Sequence, residues 1–455
     1  MQQCLAQENG WTIMYYAAGS NSSEVNLLDD VQQIKENKLA DGYEIIMLID
    51  RIEGHSQDSL ALGKDFIDTK LFRFGNQNFQ ELSGGTIMPE LNLATQYEAN
   101  MGDAQLLKNF IQFCKANYPA KNYMLILRSH GNGQAMCPDD ELEERDPLYP
   151  GEIKAVLTGK ESVDILGLDV CSMAGLENFY EWRPANDNFS ADYIIASAPL
   201  SGAWPYEQIL KRLSKDKNTT GETDYFAGTN EKNYDPHNVS PLEMSKLIIE
   251  EIYDNQTWAS WGLFDNSKID EVKGNIDALS MQLVNEKKPI LLDILKASLH
   301  YDHNMANDLE IAQLTFPYVD AYDFICRMSN HEELSEKSRN LATKTSESID
   351  ELTVNSFYGN GYLPPTESFV EGKSGVYLIV PMGDNVFSRS GRSFWAHTTW
   401  YHPDDKSASE NSYGFYDWCR NGANPNNGKV ENFFELLDYL FDEQNDEGGV
   451  NQYNY

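Results

Sequence analysis

Two side chains capable of nucleophilic catalysis each stand directly after a hydrophobic segment of the sequence. His130 follows residues 123–127, and Cys171 follows residues 163–168. A cysteine thiolate attacks carbonyl carbons and an imidazole can protonate the amine that leaves, so these two residue types suffice for acyl transfer. Functional groups gather at the carboxyl ends of parallel strands, and two neighbouring strands would bring this pair to one cleft. We therefore predict that His130 and Cys171 form a catalytic dyad.

The residues around the pair fit the same chemistry. Gly131 has no side chain where a carbonyl group must approach, and the backbone amides of Gly131 and Cys171 could donate to the developing oxyanion. A helix predicted over residues 173–180 would direct its N-terminal dipole at Cys171 and favour the thiolate. Taken singly, each residue has a simpler interpretation, because a histidine before glycine is usually a turn residue and a cysteine closing a strand is usually a small core residue. Their joint position after neighbouring strands favours catalysis.

Alternating strands and helices must position these residues. Short runs rich in β-branched and aromatic residues predict buried strands at 11–17, 43–49, 123–127, 163–168 and 191–196. Helical patterns lie between several of them, at 24–38, 103–117 and 151–157. This alternation predicts an α/β fold with a mostly parallel sheet covered on both faces. Residues 70–80, with Gly75-Asn76 at their centre, predict an inserted hairpin.

The chain changes character after the predicted sheet. An acidic, proline-containing loop at 134–150 is expected to be exposed and mobile. Later patterns predict helices at 241–253 and 275–298, a strand at 375–381 and a closing helix at 430–441. Because 455 residues exceed what one hydrophobic core usually supports, we expect two domains, residues 1–237 and residues 238–455. The second should be mainly helical with short strands.

The composition excludes several classes of partner. A formal net charge of −36 would repel nucleic acids and anionic membrane surfaces, and would attract peptides rich in Lys and Arg. No run of about 18 apolar residues predicts a transmembrane helix, and the first residues do not resemble a signal peptide. No metal site is predicted, because the six cysteines contain no C-x-x-C and because His300 and His303, near Asp302, lack a third ligand.

Four segments resemble, in order and spacing, the clostripain-like cysteine peptidases, which are peptidase family C11 of the caspase-like clan. They are Trp11-Thr12-Ile13-Met14-Tyr15-Tyr16, Ser129-His130-Gly131-Asn132-Gly133, Asp169-Val170-Cys171-Ser172-Met173-Ala174 and Gly202-Ala203-Trp204-Pro205-Tyr206. The resemblance covers residues 11–210 well and the remainder in patches, among them residues 374–381. It implies a caspase-like three-layer sandwich in residues 1–237, a dyad at His130 and Cys171, and cleavage of peptide bonds after Arg or Lys.

The substrate pocket should lie around the cysteine strand. Residues i and i+2 of a strand face the same side, so Asp169 should project beside Cys171 and could bind a basic P1 side chain; alternatively, it caps the following helix. Ser197 and Trp204, on the next strand and its exit, could form another wall of the cleft, although Trp204 could instead be a core residue. Family members often carry an acidic residue in this stretch. Residues 198–201 contain none, which leaves Asp169 nearly alone for basic specificity.

Members of this family are often made as precursors that cut themselves between the histidine and cysteine strands. The acidic loop contains one basic residue, Arg145, so we predict activation by cleavage after Arg145; alternatively, its charge only offsets acidic neighbours.

The resemblance implies export from a bacterium, as a secreted, cell-surface or periplasmic protein acting on peptides with Arg or Lys at P1, and we expect a monomer. No cofactor is required. Calcium dependence occurs in part of the family, but no motif specifies a site. The rival function is a catalytically silent surface protein that binds glycans or proteins through aromatic side chains.

Overall fold

A computed structural model describes residues 9–75, 78–141, 145–185, 187–214, 235–255, 259–302, 317–359, 368–380, 411, 413–424 and 427–441. Its strands are β1 (Asn9–Gly19), β2 (Tyr43–Arg51), β3 (Lys70–Gly75), β4 (Asn78–Leu82), β5 (Ala120–Arg128), β6 (Met136–Asp139), β7 (Asp146–Leu148), β8 (Val163–Asp169), β9 (Ala191–Ala196), β10 (Trp261–Asp265), β11 (Tyr318–Asp320), β12 (Thr353–Phe357) and β13 (Tyr377–Ile379). Its α-helices are α1 (Glu24–Glu36), α2 (Ala104–Asn117), α3 (Pro150–Val156), α4 (Leu176–Glu181), α5 (Tyr206–Arg212), α6 (Pro241–Asn255), α7 (Ile269–Leu283), α8 (Lys288–Ala297), α9 (Ala321–Ser329), α10 (Glu336–Leu352), α11 (Asp417–Arg420) and α12 (Phe433–Phe441).

A nine-stranded sheet forms the centre of the molecule, in the order β12-β10-β9-β8-β5-β1-β2-β3-β4. The five inner strands, from β9 to β2, run parallel, and the strands added at both edges are antiparallel. Parallel neighbours require crossover connections, which the helices supply. All five inner strands therefore end at the same edge of the sheet.

Two hydrophobic cores cover the two faces of this sheet. Along β1, Met14 and Tyr16 point into one core while Ile13 and Tyr15 point into the other, as the two-residue period of a strand requires. The first core includes α2, α4 and α7, and the second includes α1, α5 and α6. The expected three-layer α/β sandwich with a mostly parallel sheet is therefore confirmed.

The inner strands and their helices agree with the sequence predictions to within three residues at each end. Other predictions need correction. The helix expected at 275–298 is two helices, α7 and α8, and Pro289 lies in the first turn of the second, where proline is tolerated. The loop expected to be exposed contains the β6–β7 pair, and its Met136, Cys137 and Leu148 are buried.

The second half of the chain contributes to the same sheet. β10 pairs with β9 and with β12, so the sheet continues past residue 237. The division into two domains at that residue stays a prediction. No helix in the described parts of the chain is long and apolar enough to cross a membrane.

Candidate active site

Strand register brings His130 and Cys171 to the same edge of the sheet. β5 and β8 are parallel neighbours, and Arg128 at the end of β5 lies opposite Asp169 at the end of β8. His130 and Cys171 each follow two residues later. The predicted dyad therefore lies on adjacent chain segments that leave the sheet side by side.

Gly131 fits closely against the cysteine segment. A methyl group on its Cα would lie 2.5 Å from the carbonyl oxygen of Cys171 and 2.9 Å from Cβ of Val170, so no larger residue fits without displacing backbone. Within the described residues, the amides of Gly131 and Cys171 donate no backbone hydrogen bond. Both amides are thus available as oxyanion donors.

Ser22 contacts the histidine and was not identified from the sequence. Its hydroxyl oxygen lies 2.9 Å from Nε2 of His130. Although His130 is exposed, partial removal of water by the surrounding protein lowers its pKa, and the positive charges of Arg145 and Arg128 lower it further. The imidazole is therefore held in its neutral form.

The sulfur of Cys171 is half-buried against the loop that follows β9. The Ser201 amide donates to Sγ at 3.3 Å, and Ser201 Oγ donates to the carbonyl of Val170 at 3.2 Å. Burial raises the pKa of Cys171, and the Ser201 amide only partly opposes this. The helix expected to begin at residue 173 begins at Leu176 and has six residues. A helix dipole at Cys171 is therefore not what sets this thiol's pKa.

Asp302 supports the same loop from the second half of the chain. Its Oδ2 accepts a hydrogen bond from the Leu200 amide at 2.8 Å, next to the residue that contacts the sulfur. The side chain is fully buried, and burial raises its pKa to about 7. Sequence reasoning treated Asp302 only as a neighbour of a histidine pair. His303 lies outside the described residues, and His300 Nε2 contacts the Leu295 carbonyl at 2.9 Å.

Two tyrosines from the second half of the chain hold both catalytic loops, which are the segments that follow β5 and β8. The Tyr377 hydroxyl lies 2.7 Å from the Ser172 carbonyl oxygen and 3.1 Å from that of Gly133. The Tyr318 hydroxyl donates to the carbonyl of Asn132. Ser172 has a φ of 56°, a strained conformation for a residue other than glycine that surrounding contacts must maintain.

Asp169 lies in a buried charged cluster at the end of β8. Its Oδ2 lies 3.2 Å from Nε of Arg128 and accepts hydrogen bonds from the Tyr206 hydroxyl at 2.8 Å and the Trp204 amide at 3.3 Å. Its Oδ1 accepts no hydrogen bond from any residue that the structure describes. Burial raises the pKa of Asp169, and Arg128 opposes this. The alternative that Asp169 caps the next helix is wrong, because Gly175 occupies the N-cap of α4.

The other two predicted pocket residues point into the protein. The Ser197 hydroxyl lies 2.6 Å from the Ser260 carbonyl oxygen and 3.0 Å from that of Pro199. Trp204 is 2% exposed and packs against Gly167 and Trp261 in the second core, as the core alternative requires. Both residues shape the loop beside Cys171, and their contact with substrate stays a prediction.

Arg145 is exposed, and its charge is close enough to lower the pKa of His130. Nε of Arg145 lies 2.7 Å from an oxygen of Asp140, with 56% of the arginine side chain exposed. The next residue, Asp146, begins β7. The predicted cleavage point thus lies at the start of a short strand close to the dyad.

One group of carboxylates in the described residues could hold a metal ion, and sequence reasoning did not find it. Oxygens of Asp50, Glu98 and Asp139 lie within 4.8 Å of one another. The three residues are far apart in sequence and match no spaced motif, so only the folded chain brings them together.

Comparison with known proteins points in one direction. The sequence model of the clostripain family matches residues 15–421. The clostripain of Hathewaya histolytica is 36% identical over 476 residues, which cover 98% of this chain and 89% of that protein.

Two solved structures share the fold. An inactive zymogen C11 protease from Parabacteroides distasonis aligns with a TM-score of 0.56 at 16% identity, covering 86% of this chain and 98% of its own. A secreted C11 cysteine protease from Bacteroides thetaiotaomicron, in complex with an irreversible peptide inhibitor, aligns with a TM-score of 0.55 at 15% identity, covering 86% of this chain and 100% of its own. Both match the large mixed sheet flanked by helices.

Proposed function

Because this chain belongs to the clostripain family of cysteine endopeptidases, we propose that it cleaves peptide bonds after Arg and Lys through a dyad of His130 and Cys171. The observation that carries the proposal is the register of β5 and β8, which sets both residues at one sheet edge. Family membership favours this activity over a silent binding protein.

The proposed reaction uses the thiol, the imidazole and two backbone amides. As Cys171 Sγ forms a bond to the substrate carbonyl carbon, its proton passes to His130, and the amides of Gly131 and Cys171 donate to the oxyanion. Collapse of this intermediate breaks the C–N bond, and His130 protonates the departing amine. Water then adds to the thioester, giving up a proton to His130, and the carboxylic acid is released as the thiol re-forms.

A thiol-directed inhibitor tests the dyad directly. We expect an irreversible peptide inhibitor with Arg or Lys at P1 to label Cys171, as identified by mass spectrometry of digested protein. Cys171→Ala and His130→Ala should each abolish hydrolysis of fluorogenic Arg and Lys peptides. Cys326→Ser changes another half-buried cysteine and should leave turnover intact. Turnover retained by Cys171→Ala would refute the assignment.

Basic specificity is proposed to come from the charge around Asp169. Arg128 forms ion pairs with the carboxylates of both Asp169 and Asp30, so this buried cluster contains two carboxylates and one guanidinium group. A cationic P1 side chain reaching Oδ1 of Asp169 would balance the excess charge and satisfy the unpaired oxygen. Burial raises the pKa of Asp30 to about 7, so the excess is greatest in neutral or alkaline solution.

Pairs of charged and neutral substrates distinguish a role of Asp169 in the substrate pocket from a purely structural role. Asp169→Asn should lower kcat/KM for Arg and Lys peptides by about 10- to 100-fold, because charge-assisted hydrogen bonds contribute about 1.5–3 kcal/mol. It should lower kcat/KM for matched citrulline and norleucine peptides far less. Asp192→Asn, at the other end of the sheet, is the control. An equal loss on charged and neutral peptides would assign Asp169 a structural role only.

We further propose that cleavage after Arg145 activates the chain and that it acts outside the bacterial cytoplasm as a monomer. The exposed arginine beside the dyad supports the first part, and the zymogen form described for one structural relative agrees with it. The secreted relative supports the location. The dyad chemistry itself calls for no cofactor.

A further inference from the structure

The loop that follows β9 contacts the catalytic sulfur through the backbone of Ser201. The Ser201 amide donates to Sγ of Cys171 at 3.3 Å, and Sγ lies 3.5 Å from the Ser201 carbonyl oxygen. A thiolate can accept a hydrogen bond from the amide, and a thiol can donate one to the carbonyl. The position of this backbone therefore decides how well either form of the sulfur is held.

Asp302 holds the residue next to this contact. Its Oδ2 accepts a hydrogen bond from the Leu200 amide at 2.8 Å. The side chain is 0% exposed, and Oδ1 accepts no hydrogen bond from the residues that the structure describes. A fully buried carboxylate with so few partners is unfavourable for stability, which points to a role other than packing.

A small sheet in the second half of the chain fixes the backbone at Asp302. The Tyr301 amide donates to the Tyr318 carbonyl at 2.9 Å, and β11, which begins at Tyr318, pairs with β13. Asp302 has a φ of 58°, a left-handed conformation that residues other than glycine seldom adopt. The same sheet carries Tyr318 and Tyr377, whose hydroxyls hold the catalytic loops. Asp302 extends this support to the loop that follows β9.

We propose that Asp302 is a positioning residue for Cys171, which holds the backbone of Leu200 and Ser201 so that the Ser201 amide donates to Sγ. The catalytic consequence rests on the proposed peptidase function. In that reaction the sulfur develops negative charge as it loses its proton and again as the thioester breaks. The Ser201 amide stabilises this charge at both steps, and Asp302 acts through the amide.

The charge of Asp302 has a second effect on the sulfur. Burial contributes most to the raised pKa of Cys171, the carboxylate of Asp302 raises this pKa further, and Arg128 at the end of β5 lowers it. Burial also raises the pKa of Tyr318, and Asp302 adds to that rise. Because burial raises the pKa of Asp302 itself to about 7, its effect on the thiol should appear only as the pH rises through that value.

Two variants separate the hydrogen bond of Asp302 from its charge. Asp302→Asn keeps an oxygen that can accept from the Leu200 amide but removes the charge. Asp302→Gly removes both, and glycine adopts the φ of this position without strain. Asp164→Asn and Asp164→Ala are the matched controls, because the Asp164 carboxylate also accepts from a backbone amide, that of Tyr123 at 2.6 Å, but at the opposite end of β8 from Cys171.

The rate at which iodoacetamide alkylates Cys171, measured by mass spectrometry of its peptide, tests the contact in a His130→Ala background that is free of turnover and self-cleavage. At about pH 5.5 the parent and Asp302→Asn should react at equal rates, because Asp302 is then uncharged. At about pH 8.5 Asp302→Asn should react about 2- to 10-fold faster than the parent. Asp302→Gly should react about 2- to 10-fold more slowly than Asp302→Asn, because the thiolate loses one hydrogen bond. Both Asp164 variants should follow the parent at each pH.

Steady-state hydrolysis of an Arg peptide, with His130 intact, measures the catalytic consequence. Asp302→Gly should lower kcat by about 3- to 10-fold with little change in KM, and Asp302→Asn should retain most of kcat. Equal alkylation rates in Asp302→Asn and Asp302→Gly, or equal losses of kcat, would overturn the positioning role. Equal alkylation of the parent and Asp302→Asn at about pH 8.5 would overturn the effect of the charge.

The alkylation rates do not depend on peptidase activity. If no Arg or Lys peptide is cleaved while the variants still differ in alkylation as expected, the proposed function fails and the role of Asp302 at the sulfur stands. If peptides are cleaved while the alkylation rates are all equal, the role of Asp302 fails and the proposed function stands.

Discussion

The hydroxyl oxygen of Ser22 lies 2.9 Å from Nε2 of His130 and fixes the imidazole relative to the end of β1. This contact exists because β1 and β5 are parallel neighbours, with Ala17 opposite Arg128. Both strands therefore end at the same edge of the sheet. Neighbouring Asn21 strengthens the arrangement, because its amide lies within hydrogen-bond distance of the Ser129 hydroxyl and the Pro138 carbonyl.

Replacing Ser22 with Ala should lower kcat of peptide hydrolysis by about 2- to 10-fold with little change in KM, since one hydrogen bond contributes about 0.5–1.5 kcal/mol. Steady-state kinetics on an Arg peptide measures this. Ser22→Thr keeps the hydroxyl and should restore most of kcat. Unchanged kcat in Ser22→Ala would show that the contact does not position the imidazole.

Before substrate binds, Cys171 should be a neutral thiol rather than a preformed thiolate. Burial raises its pKa above the ordinary value of a cysteine, and the lowered pKa of His130 leaves the imidazole uncharged at neutral pH. The rate of alkylation by iodoacetamide follows the thiolate fraction, so it should still be rising at about pH 9. Mass spectrometry of the Cys171 peptide separates this rate from those of other cysteines. A plateau below pH 7 would contradict the prediction.

Tyr377→Phe should weaken catalysis although the residue is remote in sequence from both loops that it contacts. Loss of the hydroxyl leaves the Ser172 carbonyl without this partner, which costs about 1–3 kcal/mol, and frees a strained residue next to Cys171. We expect a lower Tm and a roughly 10-fold or greater loss of kcat/KM.

Tyr16→Phe is the matched control for Tyr377→Phe. Its buried hydroxyl also donates to a backbone carbonyl, that of Met101 at 2.9 Å, and among the described residues it has no hydrogen bond to the segments that carry His130 and Cys171. It should lower Tm while leaving kcat/KM nearly unchanged. Equal catalytic losses in the two variants would mean that Tyr377 acts through stability alone.

The sequence predicts the inner sheet well because hydrophobic runs of strand length are a local signal. The same strands place His130 and Cys171, since each stands two residues after the end of one of them. Ser22, Asp302 and Tyr377 escaped detection because their contacts depend on distant pairing. Tyr377, for example, reaches Gly133 across 244 positions of the chain. Single polar residues of this kind carry no periodic pattern.

The start of the helix after Cys171 was predicted too early for a different reason. Residues 173–175 are hydrophobic or small and extend the helical pattern, but Ser172 has a positive φ and the Ala174 amide donates to the Ser197 carbonyl. This tertiary contact delays the helix until Leu176. Strands β10 and β12 were missed for a related reason, because pairing with β9 defines β10 and pairing with β10 defines β12.

Cleavage after Arg145 should convert the chain into its active form. The ion pair with Asp140 is exposed, so it contributes at most about 1 kcal/mol, and the three-residue strand β7 that follows can open to admit a second molecule's cleft. Wild-type protein should yield, by intact mass spectrometry, one chain ending at Arg145 and one beginning at Asp146, while Cys171→Ala stays whole. Arg145→Lys should still be cut, whereas Arg145→Gln should stay whole and hydrolyse peptides at least about 10-fold more slowly, because the uncut loop stays beside His130. Full activity in uncut Arg145→Gln would contradict activation at this site.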